Sequence, residues 1–191
     1  SLTDLYDGTT VKAKNDFKTL SNLGFDENVW MLDLHINYNY PILKSNPYIV
    51  IEDGTDPNPY LIKSQADIEA IPTKGKGLDK SYLVVKDITL DSDYTPIDNF
   101  SGKFIGKDED NLIKITFNGT KNGLFKTIFA SSDSSKKVEI KNIEFDGNIY
   151  PDASSVGAVA GKINYVGSTC ECYISNCVNN ATVKGNNYVG G

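Results

Sequence analysis

Cys170, Cys172 and Cys177 fall close together near the end of the chain and are its nearest approach to a reactive cluster. A thiolate nucleophile needs a base beside it, and the single histidine, His35, is far away in sequence and reads as a surface residue. A zinc site would need a fourth ligand that the neighbourhood does not offer. Three is an odd number, so no complete intrachain disulfide framework follows, although a bond from Cys177 to Cys170 or Cys172 stays open. The plainer reading makes Cys177 a small hydrophobe of the core.

The carboxylates are the next candidates. E-D-G-T-D-P-N-P (Glu52–Pro59) has oxygen ligands for a calcium ion, but its spacing is not that of an EF-hand loop and the terminal Glu is missing. Its Gly, Pro, Asn and Asp content defines a solvated turn. Hydrolysis of a glycosidic bond wants two carboxyl groups facing each other across a sugar ring. Asp91, Asp93, Asp98, Asp108, Glu109 and Asp110 are the candidates, yet none forms a recognisable pair. A lyase would need a base with charge stabilisation beside it, and no such pattern stands out. The sequence therefore assigns no catalytic residue, no cofactor-binding residue and no metal ligand.

The elements that carry these residues read as strands. Tyr and Phe are abundant against one Trp and one Met, and Ile, Val, Gly and Asn recur, a composition of strands joined by tight turns. Tyr60-Leu61-Ile62, Ser81–Leu90, Gly102–Gly106 and Leu112–Gly119 are the clearest, the last with Ile113, Ile115 and Phe117 alternating onto one side. Ser64 as N-cap with Asp67 three residues on marks the start of a short helix, whose Ile68 and Ile71 would cover one end of an apolar column before Pro72 stops it. Asn15–Leu20 reads as a second short helix and Tyr48–Ile51 as a strand. Asp91–Phe100 reads as loop.

A diverged internal duplication organises the second half. I-K-N-I-E-F-D-G-N-I (Ile140–Ile149) matches I-S-N-C-V-N-N-A-T-V (Ile174–Val183) at an offset of 34 residues, which sets Asn142 beside Asn176 and Ile143 beside Cys177. Each copy precedes a glycine motif, Val156–Gly161 and Val189–Gly191, and Gly123 lies 34 residues before Gly157. Short segments of this kind cannot bury their own apolar faces and must stack on their neighbours. Matched Asn side chains then bond the local backbone. The glycine motif is not a dinucleotide fingerprint, lacking G-x-G-x-x-G between strand and helix, and its flanks are not an apolar span.

Net charge −6 and a pI near 4.8 leave no basic stripe for a phosphate backbone, so nucleic acid is not an expected partner. No run of 18 apolar residues is present to cross a bilayer as a helix.

These elements, in this order, resemble the GLUG-motif proteins, bacterial surface proteins of the pectate-lyase-like β-helix group. The resemblance rests on Gly54–Ile68, Tyr82–Leu90, Tyr94–Ile97, Phe100–Gly106 and Asn122–Ile128, and continues through I-K-N-I, V-G-A-V-A-G and I-S-N-C-V-N-N-A-T-V to Y-V-G-G. It implies an all-β fold, a right-handed parallel β-helix (solenoid) with a short capping helix and an N-terminal appendage. Residues 1–47 would be that appendage, resembling the end of a preceding repeat module through Phe25–Trp30 and Tyr40–Leu43. Residues 48–191 would be the β-helix module, cut within its last motif. The implied function is a non-catalytic structural or adhesive module of a cell-surface or secreted protein, extracellular, with no cofactor. Its partners would be a protein or glycan on a cell or matrix surface and further repeats of the same polypeptide. Tyr38, Tyr40, Tyr94, Tyr165 and Tyr173 are the expected exposed recognition residues. The alternative is a polysaccharide lyase or glycoside hydrolase of the β-helix type.

Overall fold

The computed structural model describes residues 24–31, 42–43, 52–73, 76–132, 137–150, 155–167, 169–185 and 187–190. The chain divides into two compact units, Ser1–Ile51 and Glu52–Gly191. In the first, β1 (Trp30–Met31) pairs antiparallel with β2 (Ile42–Leu43), Trp30 opposite Leu43. The carbonyl of Asp26 accepts from the N–H groups of Val29 and Trp30, and the Phe25 and Trp30 rings lie 4.8 Å apart. The expected helix at Asn15–Leu20, the strand at Tyr48–Ile51, His35, Tyr38 and Tyr40 lie outside the described residues.

The second unit is all-β apart from one helical turn and a half, and its pairings are parallel. One series runs through β3 (Tyr60–Ile62), β4 (Ser81–Val84), β6 (Lys103–Gly106), the first half of β9 (Val138–Ile149) and the first half of β12 (Cys172–Asn179). A second runs through β5 (Ile88–Leu90), β7 (Ile113–Thr120), the second half of β9, and then the end of β12 with β13 (Thr182–Val183). A third begins with bridges from Ile97 and Phe100 to β8 (Phe125–Ser131) and continues to β11 (Ala160–Val166). β10 (Val156–Gly157) pairs with β14 (Val189–Gly190). Each series steps from one pass of the chain to the next, so the passes lie as rows.

The register explains the core. Strand side chains alternate in direction, so residues paired across parallel strands face the same way. Tyr60, Tyr82, Phe104, Ile140 and Ile174 form one such column, and Ile88, Ile115 and Phe145 another. Tyr82, Phe104, Ile115, Ile140 and Phe145 are each no more than 1% exposed. Phe100 stacks on Phe125 with centroids 4.5 Å apart, and Phe104 meets Phe125 edge-on at 5.6 Å. Each aromatic ring buried this way contributes roughly 1.5–3 kcal/mol relative to exposure.

The helix forms where its caps place it. α1 (Gln65–Glu69) starts after Ser64, whose Oγ accepts from the Asp67 N–H, while the Asp67 carboxylate accepts from the Ser64 hydroxyl and the Lys63 N–H. It ends at Ala70, two residues before Pro72, and buries Ile68 and Ile71 completely. It packs against β3 and β5, strands of the earliest passes.

Two expectations are corrected. The apolar run Ser81–Leu90 is not one strand but β4 and β5 with a break at 85–87, because the chain turns there from the first series into the second. Asp91–Phe100 lacks strands, but it is not a surface loop throughout, since Tyr94, Ile97 and Phe100 are inside the core.

Candidate functional site

The Glu52–Pro59 loop turns its carboxylates onto the protein. Asp53 Oδ1 accepts from the Thr55 N–H and hydroxyl, at 2.9 and 2.6 Å, and the Thr55 hydroxyl and N–H hold the Asp53 carboxyl below its usual range. Glu52 Oε2 accepts from the Leu61 N–H at 2.9 Å. Asp56 joins two strands, taking the Ser81 hydroxyl on Oδ1 and the Lys103 ammonium on Oδ2 at 2.5 Å each. Lys103 first, then Ser81, lower the Asp56 pKa, which makes it a weak base and leaves Ser81 without activation. Among the described residues no group of three or more His, Cys, Asp and Glu side chains is arranged to hold a metal ion.

The six carboxylates singled out by sequence separate into two places. Glu69 of α1, Asp93 and Asp98 line a cleft of about 430 Å³ with Gln65, Thr95 and Pro96. Sequence reasoning missed Glu69 here, because its approach to Asp93 depends on α1 packing beside the 91–98 segment. Gln65 ties the two together, with Nε2 donating to Glu69 Oε1 at 3.1 Å and Oε1 accepting from the Asp91 N–H at 2.8 Å. Asp98 is bonded to the Thr127 hydroxyl and, at 3.0 Å, to Lys126 Nζ; these, in that order, hold its carboxyl below the usual range. It is an anchored anion, unsuited to donate a proton. Asp108, Glu109 and Asp110 lie instead in the turn between β6 and β7, where Asp108 accepts from the Asp110 N–H and the Asn111 amide.

The three thiols are free and half-buried. Cys172 pairs with Val138 and Cys177 with Ile143, as the duplication predicts, and both pack on the core. Burial raises both thiol pKa values, which disfavours the nucleophilic thiolate. Cys177 is only half-buried because no described strand lies beyond β12.

Of the expected recognition tyrosines, Tyr165 is 72% exposed and Tyr173 44%. Tyr94 is not: it is 3% exposed, and its hydroxyl donates to the Leu124 carbonyl at 2.7 Å. Its neighbours Asp91, Asp93 and Pro96 made the segment look like surface, and what buries it is contact with a pass of chain 30 residues later. Around Tyr165 and Tyr173 lie further exposed apolar side chains, Ile163 and Val166 on β11, Ile174 and Val178 on β12, then Tyr188 and Val189. Lys137 Nζ sits 5.9 Å from the Tyr173 ring centroid.

Asn142 and Asn176 occupy the bends of β9 and β12 with φ of 60° and 49°. That left-handed backbone is tolerated by Asn better than by other side chains. Asn142 Nδ2 donates to the Gly106 carbonyl at 3.2 Å, and Asn176 Nδ2 donates both to Asn142 Oδ1 at 3.0 Å and to the Glu109 carbonyl at 2.9 Å.

Comparison with protein-family models, with curated proteins and with solved structures finds no match to this chain.

Proposed function

We propose that residues 52–190 form a right-handed parallel β-helix of the GLUG-motif kind, serving as a structural or adhesive module of a cell-surface or secreted protein. The observation that carries this reading is the unbroken parallel pairing from β3 to β12, with the same inward columns repeated row on row. Such a scaffold offers reach and a long lateral face, and each row is stabilised by its neighbours. The polar groups that a catalyst would use are bonded into that scaffold at Asp53, Asp56 and Asp98. Exposed Tyr165, Tyr173 and Tyr188 supply flat amphipathic surfaces of the sort that stack on sugars or on partner proteins. The partner on this reading is a protein or glycan on a cell or matrix surface, and the module works outside the cell. A glycan array, with a binding assay on extracellular matrix proteins, tests it: retention lost in Tyr165→Ala and Tyr173→Ala supports the reading, and retention by neither surface removes the adhesive part.

The second reading, a polysaccharide lyase or glycoside hydrolase, is favoured by the cleft that collects Glu69, Asp93 and Asp98. Turnover of a polymeric sugar that disappears in Glu69→Gln or Asp93→Asn, with folding retained, would replace the first reading.

A further inference from the structure

The rows are held in register by two ladders, and both stop at the same margin. In the amide ladder Asn142 reaches Gly106 and Asn176 reaches Asn142. By the same step, Oδ1 of Asn176 is the acceptor that a next amide would meet. In the glycine ladder, a Cβ on Gly123 would stand 1.9 Å from the Gly157 carbonyl oxygen, and one on Gly157 would stand 3.3 Å from that of Gly190. Each glycine leaves room for the backbone of the following row. A Cβ on Gly190 would meet nothing within 4 Å.

Burial changes along the same columns. Ile140 is fully buried but its partner Ile174 is 43% exposed; Val156 is 1% exposed but its partner Val189 is 47% exposed. Side chains that face the interior in one row are therefore bare in the next. β12, Cys172–Asn179, carries no charge and no proline, the devices that keep an open strand edge from pairing.

We infer that the margin made by β12 and β14 is a docking edge for one more parallel strand layer. Its occupant is an uncharged or weakly charged strand with the pattern apolar, any residue, Asn, apolar, its amide donating to Asn176 and its backbone crossing Gly190. This is the pattern that β9 itself carries at Ile140–Ile143. Ladder continuity argues against a second copy meeting this edge about a two-fold axis, which would run the strands antiparallel and take the amides out of step. The inference rests on the stacked-row reading above and specifies what that scaffold binds end-on.

The probe is a synthetic peptide with the sequence of residues 137–150, added to the whole chain and followed by amide hydrogen exchange. Docking slows exchange of β12 amides by about tenfold or more at saturating peptide. The effect is lost with a peptide carrying Ala for Asn142, and with protein variants Asn176→Ala or Gly190→Val; the latter puts bulk where the structure has open space. Equal slowing by a scrambled peptide, no slowing at all, or a sedimenting dimer that protects β12 without peptide overturns the inference. The free protein separates the two levels: slow β9 exchange with unresponsive β12 defeats only the docking, whereas fast β9 exchange defeats the stacked rows and the docking together.

Discussion

Asn176 donates from Nδ2 to Oδ1 of Asn142, 3.0 Å away and 34 residues earlier in the chain, at the point where both strands bend. The side chains bridge the rows at a corner where the left-handed backbone interrupts regular strand geometry. One residue type thus meets two demands, positive φ and a lateral hydrogen bond.

Substitution at Asn142 separates those demands. Asn142→Gly keeps the backbone relaxed and loses the bonds, at about 1 kcal/mol. Asn142→Ala adds left-handed strain of roughly 1–2 kcal/mol to that loss. Urea unfolding should rank the proteins wild type, Gly variant, Ala variant; an Ala variant as stable as the Gly variant would contradict the strained corner.

Gly123 and Gly190 should respond oppositely to the same change. Gly123→Ala drives a methyl group into the carbonyls of Gly157 and Ala158 and should cost about 1–3 kcal/mol. Gly190→Ala enters open space and should stay within about 0.5 kcal/mol of wild type. Thermal unfolding of the two variants side by side checks the pair.

Alkaline stability should depend on Tyr82. Burial pushes its pKa from 10.0 up to about 12, while its hydroxyl donates to the Gly77 carbonyl. Between those values the unfolded chain has released a proton that the folded chain keeps, so stability is intact below pH 10 and falls toward pH 12. Tyr82→Phe should be less stable than wild type at pH 7 and should lose less on going to pH 11. Denaturant midpoints at the two pH values decide it.

In acid the corresponding group is Asp56. Its pKa lies below 3.8 through Lys103 and Ser81, so its contribution is present above that value and is lost as pH falls through the folded pKa. The carboxylate is largely exposed, and the pair is worth about 1 kcal/mol or less. Asp56→Asn should lower stability slightly at pH 7 and flatten its decline below pH 4. A steeper acid decline in the variant would show that another carboxylate dominates.

The last two rows were legible because they keep nearly one length: Ile140 and Ile174 pair as their 34-residue offset predicts, and so do Ile143 and Cys177. The earlier rows hid themselves. Tyr60, Tyr82 and Phe104 pair at intervals of 22 residues, while Phe104 and Ile140 are 36 apart, because the corners absorb extra chain without moving the strands. A search at one fixed period loses that relation. The cleft was half legible: Asp93 and Asp98 were named as carboxylates, but Glu69 joins them only through the packing of α1. Tyr94 misled because its polar neighbours carry the mark of surface, and burial by a later row leaves no trace in the local sequence.

The order of pairing has a consequence for how the molecule is made. Strands of each series join the pass just before, 22 to 36 residues back, and α1 with β3 belongs to the earliest pass. A chain delivered from its first residue onward, by a ribosome or through a pore, can lay every new pass on a finished template. Closure of long loops is never required, and the exposed, unfinished portion at any moment is a single pass rather than a whole core.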